Sequence, residues 1–150
     1  LGFIHKLRTF VSLDMKTMLL FIEAFGYLAW GRVLISVPFA KVAPSLGAAM
    51  QETSEARYEP DIAVLTRVHD AIRIASRHTP WDSKCLVRAI AALKMLERRQ
   101  IESTLYLGIA RDDSRQMIAH AWLRSGPFYI TGAEEMSRFE VVGTFAKHVK

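Results

Sequence analysis

The sequence contains no asparagine and a single cysteine, Cys85. One cysteine excludes an internal disulfide framework, and the chain is accordingly expected in a reducing cytoplasm. The missing asparagine excludes any Cys-His-Asn catalytic set, since no amide of that kind is available to orient an imidazole. Long uncharged apolar runs are missing too. A membrane span needs about 20 largely apolar residues, yet in "MKTMLLFIEAFGYLAWGRVLISVPFAKV" Glu23 and Arg32 break the run between Lys16 and Lys41. Nor does "FGYLAWGRV" read as a secretory cleavage region. His5, His69, His78 and His148 show no HxH or HxxxH spacing, and one cysteine adds little, so no zinc site is expected. No glycine-rich phosphate loop and no GxSxG elbow occur, and no cofactor is expected. The basic residues are scattered, without zinc-finger, basic-zipper or RNA-binding signatures, which argues against nucleic acid.

What is present suits one globular domain with a small helical appendage. The chain has 150 residues, 51% apolar and 23% charged, far from a disordered composition. A domain of that length buries roughly 70% of its unfolded surface and needs no staple. The net charge of +5 favours acidic partners or simply solubility.

Along the chain, residues 1–57 read as an apolar helical region, one or two amphipathic helices docked on the rest, with membrane association not favoured. Residues 58–150 read as the main domain. Between them "APSLGAAMQETSEARYEPD" is a loop or linker. Asp61 is expected to cap a helix on which Ile62, Leu65, Val68, Ala71, Ile72 and Ala75 share a face. Pro80 ends whatever precedes it. A second helix is expected from Cys85 to about Arg99, capped by Asp82 or Ser83, with Cys85 in its first turn. Beyond Gln100 the period changes to two. Strands are expected at Ser103–Ala110, Met117–Ser125, Phe128–Gly132 and Arg138–Phe145, with a hairpin turn at "RDDSRQ". The fold class is α+β: helices first, then an antiparallel sheet.

The chemistry rests on two residues. Unpaired N–H groups and the positive dipole end at a helix start favour a thiolate, and could hold an oxyanion. Cys85 sits at such a start, although a lone cysteine is commonly a small hydrophobe of the core. His120 shares a strand face with Ile118 and Trp122, where its ring needs a partner, and a thiol would serve. Cysteine catalysis needs an imidazole that takes the thiol proton and returns it to the leaving amine. The plainer reading is a satisfied core histidine. Trp81, Trp122 and Tyr129 either wall a peptide groove or fill the interior, the latter favoured for Trp122.

A helix opening on "KCLVRAIAALKMLERRQIESTLYLGIA", followed by a strand reading "AHAWLRSGPFYITG", resembles the transglutaminase-like cysteine peptidases. More narrowly, it resembles the leader peptidases of lasso peptide biosynthesis, the C-terminal half of the B protein as a stand-alone chain. The resemblance spans about Trp81 to Phe145 and extends into the apolar N-terminal region. It implies a transglutaminase-like (papain-like) core with Cys85 as nucleophile and His120 as general base. The implied reaction is hydrolysis of one peptide bond in a ribosomal precursor, freeing core peptide from leader. Implied partners are a small PqqD-like leader-recognition protein and an ATP-dependent lasso cyclase, to which the ATP belongs. The family usually ends the strand after "HAW" on an aspartate. This chain has Ile130, Thr131 and Gly132 there, and no aspartate after Asp113. Glu134, the first carboxylate beyond, is the candidate third member, against its reading as a solvated loop acid. Thr131 or a backbone carbonyl could orient the imidazole instead, giving a dyad. Two other functions compete: a transglutaminase-like acyl transferase, and a non-catalytic scaffold binding partners or membrane through its N-terminal helices.

Overall fold

The computed structural model describes residues 4 and 15–149. His5 and most of the first 14 residues of the N-terminal region therefore lie outside the described residues. Helix α1 spans Met15–Leu34 and buries Ala24, Leu28 and Gly31, a stripe at helical spacing. The stripe packs on α4 (Cys85–Arg98), and closely: a Cβ at Gly31 would come within 3.1 Å of the Val87 carbonyl. Glu23, which interrupts the apolar run, accepts two 2.6 Å hydrogen bonds from the Arg99 guanidinium. The charge is there to be paired. By length and composition alone α1 would suffice to cross a membrane, its most apolar window having a mean hydropathy of 1.3. Leu19, Ile22, Trp30 and Val33 are left at least half exposed.

Helix α2 (Phe39–Leu46) adds Val42 and Leu46 to the same core, and Ala48–Ala49 forms a short strand, β1. Helix α3 spans Glu59–Ala75. Its buried face is Leu65, Val68, Ala71, Ile72 and Ala75, as expected except for Ile62, which is only half-buried, and Tyr58 occupies the cap. Pro60 opens the helix before Asp61 can cap it, so Asp61 lies in the first turn, where its charge suits the dipole. Helix α4 likewise starts on Lys84, with no side-chain cap. Neither Asp82 nor Ser83 caps it; the Ser83 hydroxyl is 2.8 Å from that of Thr79.

The five-stranded sheet has the order β1-β5-β2-β3-β4, all neighbours antiparallel. Strands β2 (Ser103–Arg111) and β3 (Met117–Ser125) meet expectation closely. Their turn is tied by Asp112 Oδ1, which accepts from the Ser114 amide and hydroxyl and the Gln116 amide. β4 covers Phe128–Thr131, one residue short of expectation, because Gly132 turns left-handed at φ 74°. An unforeseen 3-10 helix, Ala133–Arg138, delays β5 to Glu140–Lys147. Leu105, Ala121, Leu123, Ile130 and Phe145 join the helices in one core. The expected α+β fold, helices followed by an antiparallel sheet, is what the chain adopts.

By strand alternation the other face carries Thr104, Tyr106, Trp122 and Arg124. The segment after β1, read as linker, is a strap across this face. The Thr53 amide donates to Thr104 Oγ1 at 2.9 Å. Arg124, 2% exposed, donates to the Thr53, Ser54 and Gly126 carbonyls and to the Tyr106 hydroxyl. Tyr106 in turn donates to Glu52.

Candidate active site

Strand alternation turns His120 away from the buried Ala121 and Leu123, onto the face of Trp122, as its sequence position indicates. Its ring centroid lies 5.7 Å from that of Trp122 and 5.0 Å from that of Phe139. Gly108, directly across on β2, makes room: a Cβ there would come within 2.9 Å of the Trp122 ring. The ring is fixed by one hydrogen bond, from Nε2 to the Gly132 carbonyl at 2.8 Å. A carbonyl only accepts, so Nε2 carries the proton. In the neutral ring, Nδ1 then holds the lone pair and is the basic nitrogen. The orienting group is the backbone carbonyl, one of the two substitutes named for the missing aspartate.

Gly132 performs that role because it has no side chain. Its φ of 74° is left-handed, and a Cβ would stand 2.6 Å from the Ala121 carbonyl and 3.1 Å from His120 Nε2. The other candidates do not hold the ring. Glu134 is exposed in the first turn of the 3-10 helix and makes no hydrogen bond to His120 among the described residues. The Thr131 hydroxyl is sealed from solvent and has no partner among the described residues.

Cys85 is the first residue of α4, half-buried, its side chain packed against the helix–sheet core. No hydrogen bond joins its sulfur to His120. Strand alternation sets His120 on the sheet face opposite the core against which Cys85 packs, beside Trp122 and Phe139. His120 is anchored to Gly132, just past the end of β4, and Gly132 lines a cleft with Arg88, which lies one turn along α4 from Cys85. With no side chain capping the helix, the first-turn N–H groups of α4 keep their capacity for an anion.

The aromatic candidates divide. Trp122 is buried and stacked on Tyr106 at 5.6 Å, as favoured, whereas Tyr129 is 39% exposed at the cleft. Trp81 packs on the core with its indole N–H sealed and unpartnered. Sequence reasoning passed over Arg88 and Arg124, whose surroundings are assembled from distant segments. Among the described residues no cluster of metal-ligating side chains occurs.

A family model described as the transglutaminase-like superfamily matches residues 33–144, well over half of the chain. Comparison with curated proteins gave no significant match, and comparison with solved structures gave none.

Proposed function

The chain belongs to the transglutaminase-like superfamily, whose members are typically cysteine-dependent hydrolases or transferases, and from that premise we propose that it is a leader peptidase. In this reading it cleaves a ribosomal precursor of the lasso peptide type in the cytoplasm, with Cys85 as nucleophile and His120 as base. The observation behind the assignment of His120 as base is the Nε2–H bond to Gly132, which leaves Nδ1 without a hydrogen-bond partner among the described residues. Nδ1 takes the thiol proton as sulfur attacks the scissile carbonyl carbon, and the first-turn amides of α4 steady the oxyanion. Nδ1–H then protonates the leaving amine as the C–N bond breaks, giving a thioester. Water, deprotonated at Nδ1, attacks the thioester, the C–S bond breaks, and the thiol is restored. Such hydrogen bonds often tighten only when substrate is bound.

The narrower identity draws on the resemblance of "KCLVRAIAALKMLERR" and "AHAWLRSGPFYITG" to lasso leader peptidases. In that scheme α1 docks a small PqqD-like recognition protein. Its outward Leu19, Ile22 and Trp30, with Val64 of α3, line a groove of about 900 Å³ rimmed by Arg67 and Arg98. The cyclase would act on the freed core peptide.

The test is to incubate precursor peptide and recognition protein with wild type, Cys85→Ala and His120→Ala. Cleavage by wild type alone is expected, and equal cleavage by Cys85→Ala overturns the reading. Product masses separate hydrolysis from amide transfer, the acyl-transferase alternative.

A further inference from the structure

Among the described residues, the arginines other than Arg88 that are not exposed are answered by acceptors. Arg99 has the Glu23 carboxylate, and Arg124 has three carbonyls and two hydroxyls. Arg88 is the exception. It lies half-buried on α4, its Nε is sealed from solvent without a partner, and it forms no ion pair among the described residues. Thr131 lines the same cleft from the end of β4, and its Oγ1 is likewise sealed and without a partner among the described residues. Two orphaned polar groups from different elements thus border one cleft of about 50 Å³. That is room for a small group such as a carboxylate.

The charges around the cleft point the same way. His69 and Arg73 of α3 line it beside Arg88. Asp70 is already engaged, 3.0 Å from His69 Nδ1 and 4.0 Å from Arg73. Glu134 lies at the mouth, exposed and without an ion pair among the described residues. A guanidinium Nε–H removed from water without an acceptor is costly, and a carboxylate seated on the fork would remove that cost.

We propose that this cleft is a carboxylate-binding subsite, with Arg88 as counter-charge and Thr131 as hydroxyl donor. It adjoins Gly132, whose carbonyl holds the His120 ring, so it would receive a carboxylate of a peptide lying against the catalytic corner. As a subsite of the peptidase it rests on the function proposed above; as an anion site it is measured without catalysis. The carboxylate is either an acidic side chain or a chain terminus.

Three probes distinguish these sources in the intact protein: N-acetylglutamate N-methylamide, N-acetylglutamine with its free terminal acid, and N-acetylglutamine N-methylamide. The readouts are the Arg88 Nε–H resonance and the amides of Thr131 and Gly132 during titration. A saturable shift at roughly millimolar concentration is expected from an acid and none from the neutral amide. The tighter acid names the source. Arg88→Lys, which keeps charge but loses the fork, should weaken binding about tenfold by the amide readout, and Thr131→Val severalfold. Equal responses to all three probes, or no saturable response from wild type, overturns the proposal. Either result is read from wild type alone, and it leaves the Cys85→Ala cleavage test to decide the peptidase reading separately.

Discussion

The outer face of the sheet and the corner at the end of β4 are built from the same kinds of polar residue and treat them oppositely. On the outer face every nitrogen of Arg124 has an acceptor, and Tyr106 donates to Glu52 while accepting from Arg124. At the corner, Arg88 Nε, Thr131 Oγ1 and, just ahead of α4, the Trp81 indole N–H are sealed without partners. Buried polar groups in folded proteins are nearly always satisfied. The closed network fastens a strap to the sheet, and the open one is where a ligand has something to complete. Stability should therefore depend on the first and function on the second.

The largest effect is expected at Arg124. Arg124→Met strands the Thr53 and Ser54 carbonyls under the strap and should cost about 3 kcal/mol or more of unfolding free energy by denaturant titration. A loss below about 0.5 kcal/mol would remove the contrast. Next comes Gly132→Ala, which forces a left-handed backbone onto a side chain that collides with Ala121. We expect about 1–3 kcal/mol of destabilisation. The carbonyl that holds His120 should shift too, lowering precursor turnover at least about tenfold beyond any unfolded fraction. Normal turnover would show that the carbonyl does not matter.

Tyr106 offers a smaller, pH-resolved effect. Burial, then the hydrogen bond to Glu52, pushes its phenol up to about 12 against the usual 10, with Arg124 opposing. Below pH 10 the phenol is neutral in folded and unfolded chains alike. Between pH 10 and 12 the unfolded chain releases its proton first, so stability falls as pH rises through that window. Tyr106→Phe should flatten that part of the decline, as read by urea midpoints at several alkaline pH values. The smallest effect is expected at Arg88. Arg88→Met should change stability by less than about 1 kcal/mol, because no protein acceptor is lost. A loss as large as that of Arg124→Met would make the two arginines equivalent and end the comparison.

The helix and strand pattern was legible because it is local. Apolar periodicity located the buried face of α3, and alternation placed His120 with Trp122. What was not legible depends on chain segments meeting. The strap at Thr53 and Ser54 resembles a linker until Arg124, some 70 residues away, gathers its carbonyls. α4 starts at Cys85 as expected, but its cap is not Asp82 or Ser83, whose hydroxyl meets Thr79, and α3 starts ahead of Asp61 because Pro60 opens it. At the candidate site, Cys85 and His120 stand out by residue type. The partner of His120 does not, because a backbone carbonyl carries no letter in a sequence and only the left-handed Gly132 brings it within reach.

In the proposed mechanism the His120 imidazole activates the sulfur at the tip of α4. Because Cys85 is the only cysteine, iodoacetamide alkylation followed by mass reports on that sulfur alone. At pH 6 the wild type is expected to react at least about tenfold faster than a free peptide thiol, and His120→Gln to fall to the peptide's rate. A wild-type rate no faster than the peptide's, or one indifferent to His120, contradicts it.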